Sequence, residues 1–193
     1  MKNKQAELIK QLSDKQLIYN LFITQLILLA ASLLLGLFLF PDIASFAALF
    51  RISDINIAVI GLPAGAAVVV FDIIMMKTIP ASWQDDGGVN ERIFKSLSYP
   101  LVPAAALIVA FCEEVLFRGV IQTNIGLVWT SVIFALVHYR YLFKLYLLVN
   151  ITGLSFFIGW IYSVTGNLIV TITAHFIIDF ILGIILKNKQ GKA

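Results

Sequence analysis

The chain has 193 residues, 60% of them hydrophobic and 13% charged, with a formal net charge of +3 and a mean hydropathy of +0.94. A soluble domain carries about 25% charged residues, and one of this size must wet much of its exterior. The composition therefore excludes a cytosolic globule, a disordered chain and a disulfide-stapled secreted domain, and the lone Cys112 excludes an internal disulfide or a CxxC metal knuckle.

A helix crossing the hydrocarbon core needs about 20 mostly apolar residues. Apolar runs lie in chain order at about 17–40, 55–79, 99–122, 125–142, 143–162 and 167–187. They predict an all-α, polytopic transmembrane bundle of about six spans, with five or seven as alternatives because the break at His138–Lys144 is weak. Pro41 and Asp42 end the first run, Pro80 and the Asp85-Asp86-Gly87-Gly88 stretch end the second, and Thr165-Gly166-Asn167 separates the last two. Gly61, Pro63 and Gly65 in the second run allow a kink or a close helix approach. The expected organisation is an amphipathic cytoplasmic segment over 1–16, two transmembrane helices and a loop over 17–98, a four-helix core over 99–187, and a basic tail over 188–193. The first run exceeds the 7–15 residues of a signal-peptide core, so it is expected to stay as an anchor.

Lysine and arginine set the expected orientation. Lys2, Lys4, Lys10, Lys15, Lys77, Arg92, Lys95, Arg140, Lys144, Lys187, Lys189 and Lys192 all fall on one side of these runs. The positive-inside rule makes that side cytoplasmic, with both termini there and the chain in the cell membrane. The same distribution explains the basic pI of about 9.0 by topology and leaves nucleic-acid binding without support.

An ionisable residue at mid-bilayer costs about 2.5–3.5 kcal/mol on insertion scales. Glu113, Glu114, Arg118, His138, His175 and Asp179 nevertheless fall well inside the runs, and they include both histidines of the chain. Glu114 and Arg118 are four apart and share a helix face, while Glu113 points about 100° away. That arrangement suits a paired, supporting Glu114–Arg118 and a separate general base at Glu113. His175 and Asp179 also share a face at four-residue spacing, fit for two ligands of one metal or for a histidine oriented by a carboxylate. Counted at about 1.5 Å per residue from the outer ends, Glu113, His138, His175 and Asp179 lie roughly 13, 19, 12 and 18 Å deep, one slab of the bilayer.

A carboxylate base, two imidazoles and an aspartate in one wet pocket suit the activation of water, and two mechanisms fit. Glu113 and His138 hold and deprotonate water while His175 and Asp179 serve an oxyanion. Alternatively, His138, His175, Glu113 and Asp179 supply the ligands of a Zn²⁺ ion that acidifies its water. Cys112 is expected to pack, and Asp72 to pair with Lys77 or reach the cytoplasmic surface.

The motif Glu113-Glu114-Val115-Leu116-Phe117-Arg118 resembles the EExxxR of the CPBP family, which comprises type II CAAX prenyl endopeptidases and Abi or lysostaphin resistance protein A-like proteins. Phe134 to His138 is similar to that family's FxxxH, and His175 to Asp179 to its HxxxN/D; the likeness covers about residues 99–187. It implies an intramembrane endopeptidase acting on a peptide or membrane-protein substrate, in peptide processing or bacteriocin self-immunity. By motif position Glu113 is the catalytic glutamate, His138 its water-holding partner and His175 with Asp179 the oxyanion or metal side, supported by Glu114 and Arg118. The prenyl endopeptidases carry Asn where this chain has Asp179. An ionised aspartate donates no hydrogen bond, so here the residue is protonated, orients His175 or binds a metal. The competing readings are a membrane immunity or regulatory protein that acts by binding a partner and a small proton-relaying transporter.

Overall fold

In the computed structural model of the chain, residues 11–189 are described, and every regular element among them is helical. Helix α1 spans Asp14–Leu39 and opens on a reciprocal cap: Gln16 N donates to Ser13 Oγ while Ser13 N donates to Gln16 Oε1 at 2.8 Å. It stops at Phe40, whose extended backbone precedes Pro41. A short α2 follows (Ile43–Ala47), capped by Asp42, whose carboxylate accepts from Ser45 N. Helix α3 spans Ile57–Thr78, its first turn, Ile57–Gly61, wound as a π-helix. Pro63 supplies no N–H to residue 59 and its ring crowds that carbonyl, which is a cause of such widening.

Two short helices, α4 (Ala81–Gln84) and α5 (Val89–Ser96), lie between α3 and α6. Helix α6 runs over 101–125: α-helical at Leu101–Glu114, π-helical at Val115–Gln122, and α-helical again at Thr123–Ile125. Gly126, at φ 83°, turns the chain into α7 (Leu127–Val137). A 3-10 turn at Tyr139–Tyr141 leads to α8 (Leu145–Thr165), and Gly166, at φ 55°, with Asn167 reverses the chain into α9 (Leu168–Asn188).

The four helices α1, α3, α8 and α9 are long and apolar enough to cross a membrane, and the protein is a multi-pass membrane protein. Two of the six expected spans differ. The third run becomes α6, long enough to span but changing register where its charges lie. The fourth, expected over 125–142, is only the 11-residue α7, about 16 Å long against a hydrocarbon core of about 30 Å. Its run was extended by Tyr139, Tyr141 and Leu142, which are apolar but belong to a turn. Of the expected terminal segments, residues 1–10 of the first and 190–193 of the tail lie outside the described residues.

Helix α9 is the centre of the bundle. Gly61 and Gly65 of α3 lie against its backbone, so that a Cβ on them would meet Val170 O at 2.9 Å and Ala174 O at 2.7 Å. The amphipathic α5 buries Val89 and Ile93 with Leu17, Leu97, Val102 and Ala105, as a surface helix does. On one face of the molecule the lysine-rich connections are tied together: Arg92 pairs with Asp14 at 2.8 Å, Lys189 with Glu91 at 2.9 Å, and Lys144 with Asp85. On the opposite face, the fully buried Asn167 donates to Arg51 O at 2.9 Å and to Asp54 Oδ2 at 3.1 Å, and Arg51 donates to the carbonyls of Thr165 and Gly166. Phe46, Leu49 and Phe50 pack there over Val115, Tyr162, Leu168 and Ile172, so this end of the bundle is closed.

Candidate active site

The α-to-π change in α6 begins at Val115, directly after the two glutamates. π-Helical turns in α-helices occur often at functional sites, because the extra residue per turn redirects side chains. Thr123 answers part of the disturbed hydrogen bonding: its N–H and its Oγ1, the latter at 3.1 Å, both donate to Arg118 O.

Glu114 and Arg118, 0% and 1% exposed, form an ion pair with Nε and Oε2 3.4 Å apart. The alignment falls short of a hydrogen bond, and Nη1 has no hydrogen-bond partner among the described residues either. Nη2 donates across to α8, to Ser155 O at 3.3 Å, and the guanidinium carbon stands 4.9 Å over the Phe134 ring. The other Glu114 oxygen meets Nδ1 of the buried His175 at 2.9 Å, while Thr171, one turn before His175, donates its hydroxyl to Leu168 O at 3.1 Å. A carboxylate paired with a guanidinium only accepts, so His175 Nδ1 carries the proton of that bond. His175 Nε2 is then turned toward Asp179 Oδ2, 3.5 Å away.

The result is a chain of contacts, Arg118–Glu114–His175–Asp179, joining α6 to α9. Glu113 stands beside it. It is half-buried, makes no hydrogen bond or ion pair with the described residues, and lies within electrostatic reach of both His175 and Asp179. Two neighbouring carboxylates thus have different surroundings: one is wholly enclosed and paired, the other open.

His138 occupies the C-cap of α7. Its Nδ1 is 2.8 Å from Phe134 O; a carbonyl only accepts, so Nδ1 carries the proton and Nε2 of the neutral ring is left as an acceptor. The imidazole lies against Phe134 with centroids 4.5 Å apart. Phe134 therefore has Arg118 against it as well as His138, one ring separating the imidazole from the ion pair.

The structure thus joins Glu114, Arg118, His175 and Asp179 by direct contact, sets Glu113 within charge range, and links His138 through Phe134. It differs from expectation in the role of Glu114, which contacts His175 directly and does more than brace Glu113. The zinc set His138, His175, Glu113 and Asp179 is not assembled: among the described residues no three His, Cys, Asp or Glu side chains are placed to hold a metal ion. His175 Nδ1 and His138 Nδ1 face protein acceptors, which leaves each Nε2 for other partners, but with no third donor grouped beside them no step is derived through a metal. Asp72 faces Asn150 Nδ2 at 3.5 Å instead of Lys77, and Cys112 packs in the core. Ser155 had no mark in the sequence, because a serine in an apolar helix usually bonds its own backbone, as Thr171 does to Leu168 O.

Comparison with known proteins agrees with the motifs. Residues 95–181 match the family model for type II CAAX prenyl endopeptidase Rce1-like proteins. The chain is 45% identical over 156 residues to the uncharacterized protein YpbD of Bacillus subtilis (strain 168), covering 81% of this chain and 82% of that relative. No solved structure matches it.

Proposed function

The chain belongs to the Rce1-like family of type II CAAX prenyl endopeptidases, and from that premise we propose that it is an intramembrane endopeptidase in which Glu113 activates water. The observation that carries this reading is the contrast between the two glutamates. Glu114 is fixed by Arg118 and His175, which leaves Glu113 as the carboxylate free to accept a proton from water. His138 Nε2, an acceptor by the tautomer its Nδ1 contact selects, orients the same water. Hydroxide attacks the scissile carbonyl, and the proton taken by Glu113 passes to the leaving amine. The proton on the line between His175 Nε2 and Asp179 is the donor available to the oxyanion, and Glu114 holds the imidazole so that Nε2 faces the reacting carbonyl.

The substrate class is a peptide or membrane-associated protein, in peptide processing or bacteriocin self-immunity, as the CPBP resemblance implies. The lysine-rich face lies in the cytoplasm of a cell membrane under the positive-inside rule. The test reconstitutes wild-type protein, Glu113→Gln and His175→Ala in lipid vesicles with membrane proteins of a strain lacking this chain, and follows new peptide termini by mass spectrometry. Wild type is expected to generate discrete termini, and both variants to lose them at least 100-fold. Termini formed equally by Glu113→Gln, or none formed by folded wild type while deletion phenotypes are restored by both variants, would favour action by binding.

A further inference from the structure

His138 has no helix beyond it to hold it: α7 ends there, with φ −80° and ψ 45°. Its ring is nevertheless enclosed on two sides. Phe134 lies against it at 4.5 Å with planes tilted by 36°, and Tyr141 stacks at 5.9 Å between centroids with planes 27° apart. Tyr141 is itself fastened to a different part of the chain. Asn90 Nδ2, on the second residue of α5, donates to the Tyr141 hydroxyl at 3.2 Å, and Arg140 Nη2 donates to it at 3.3 Å. Asn90 is placed by its own N–H, which donates to Asp86 Oδ2 at 3.1 Å, and Asp86 pairs with Arg140 at 3.7 Å. Lys144, just past the turn, donates to Ser82 O and Asp85 O. The turn after His138 is therefore stapled to the 82–90 connection by separate contacts, and that connection is anchored to the bundle by α5.

We infer that Tyr141, held by Asn90, is a positioning residue for His138: it forms the second wall of an aromatic slot that keeps the imidazole in the Nδ1–H tautomer with Nε2 presented to the site. The inference rests on His138 belonging to the reaction site, but the geometry it asserts is independent of cleavage. Tyr141 acts through His138 and touches no reacting atom. Without the Tyr141 ring, His138 keeps only the bond from Nδ1 to Phe134 O and the Phe134 ring on one side, at a helix end where the imidazole can turn and exchange tautomers. Nothing in the local sequence signals this, since Asn90 and Tyr141 are 51 residues apart.

The chain has two histidines, so nitrogen NMR of protein labelled at the imidazole rings reads the slot directly, with His175→Gln assigning the pair. In wild type at a pH where the ring is neutral, the two His138 nitrogens are expected to be widely separated in shift, as a fixed tautomer requires. Tyr141→Ala should cut that separation by more than half, and Asn90→Leu and Tyr141→Phe, which remove only the hydroxyl's anchorage, by a smaller but measurable amount, with the His175 resonances unmoved. Where Tyr141→Ala also disturbs His175, the two milder variants decide. Full wild-type separation at His138 in Asn90→Leu and Tyr141→Phe, or in Tyr141→Ala with His175 unmoved, overturns the inference. Loss of cleavage chemistry at Glu113 would leave these spectra as predicted, so failure of the slot and failure of the protease reading are distinguishable.

Discussion

Helices α1 and α9 are almost equally apolar, yet 11% of the most apolar stretch of α1 is buried inside the protein against 44% of that of α9. The first presents Leu26, Leu34, Leu37 and Phe38 outward, as lipid-facing residues. The second buries Thr171 and carries His175 and Gly183 into contact with α6 and α5. Hydropathy alone cannot tell these two helices apart, because lipid and protein interior reward the same side chains. What separates them is polarity and smallness: a membrane helix that packs on others needs small residues for close approach and polar groups with partners waiting.

The largest test of this contrast is Glu114→Ala against Leu34→Ala. Removing Glu114 strands the Arg118 guanidinium, 1% exposed, and takes the acceptor from His175 Nδ1. Breaking one side of a buried pair costs about 3–5 kcal/mol. Leu34, 60% exposed, is expected to change stability by no more than about 0.5 kcal/mol. Unfolding of purified protein in mixed micelles by added denaturing detergent measures both; equal effects would mean that the buried cluster is not a structural element of the bundle.

A second pair uses glycines. A Cβ at Gly65 would sit 2.7 Å from Ala174 O and 2.8 Å from Ile177 Cβ, neither of which is the end of a flexible chain, whereas at Gly36 of α1 it would meet nothing within 4 Å. Gly65→Ala is expected to destabilise by about 1–3 kcal/mol, and Gly36→Ala to be neutral or stabilising by up to about 1 kcal/mol. Because Ala174 precedes His175, the first change should also move the His175 imidazole resonances and the second should not. A neutral Gly65→Ala with unmoved His175 signals would break the claim that α3 sets the position of α9.

Much of this was legible in the residues. Four of the six spans follow from runs of about 20 apolar residues, and the Glu114–Arg118 and His175–Asp179 pairs follow from four-residue spacing on a helix. The length of α7 was not legible, since Tyr139, Tyr141 and Leu142 prolong its run on either side of Arg140 and only Gly126 and the turn geometry mark its limits. Nor was the bond between Glu114 and His175, 61 residues apart: spacing constrains partners within a helix and says nothing of rotation between helices. The π-helical change at Val115 has no proline within it or next to it, since Pro103 lies in the first turn of α6. For the same reason the depth estimate for His138 says nothing of the Phe134 ring, which lies against both the imidazole and Arg118.

The smallest effect concerns the tie between α9 and the amphipathic α5 on the lysine-rich face, outside the spanning segments. Glu91 accepts from Lys95 at 2.7 Å and Lys189 at 2.9 Å, and these hydrogen bonds hold its carboxyl below the usual carboxylate range. A group whose folded pKa is depressed contributes stability that is present above its unfolded value, about 4.3, and disappears as pH falls through the folded value. The contribution is that of partly exposed pairs, about 0.2–1 kcal/mol at neutral pH, and salt screens it. Glu91→Gln should therefore lower Tm slightly at pH 7, and the difference from wild type should vanish once the pH has fallen below the folded value and shrink in about 1 M salt. A difference that persists unchanged in acid would assign the contact of α5 with α9 to Phe94, which lies against Gly183, and not to the charges at its rim.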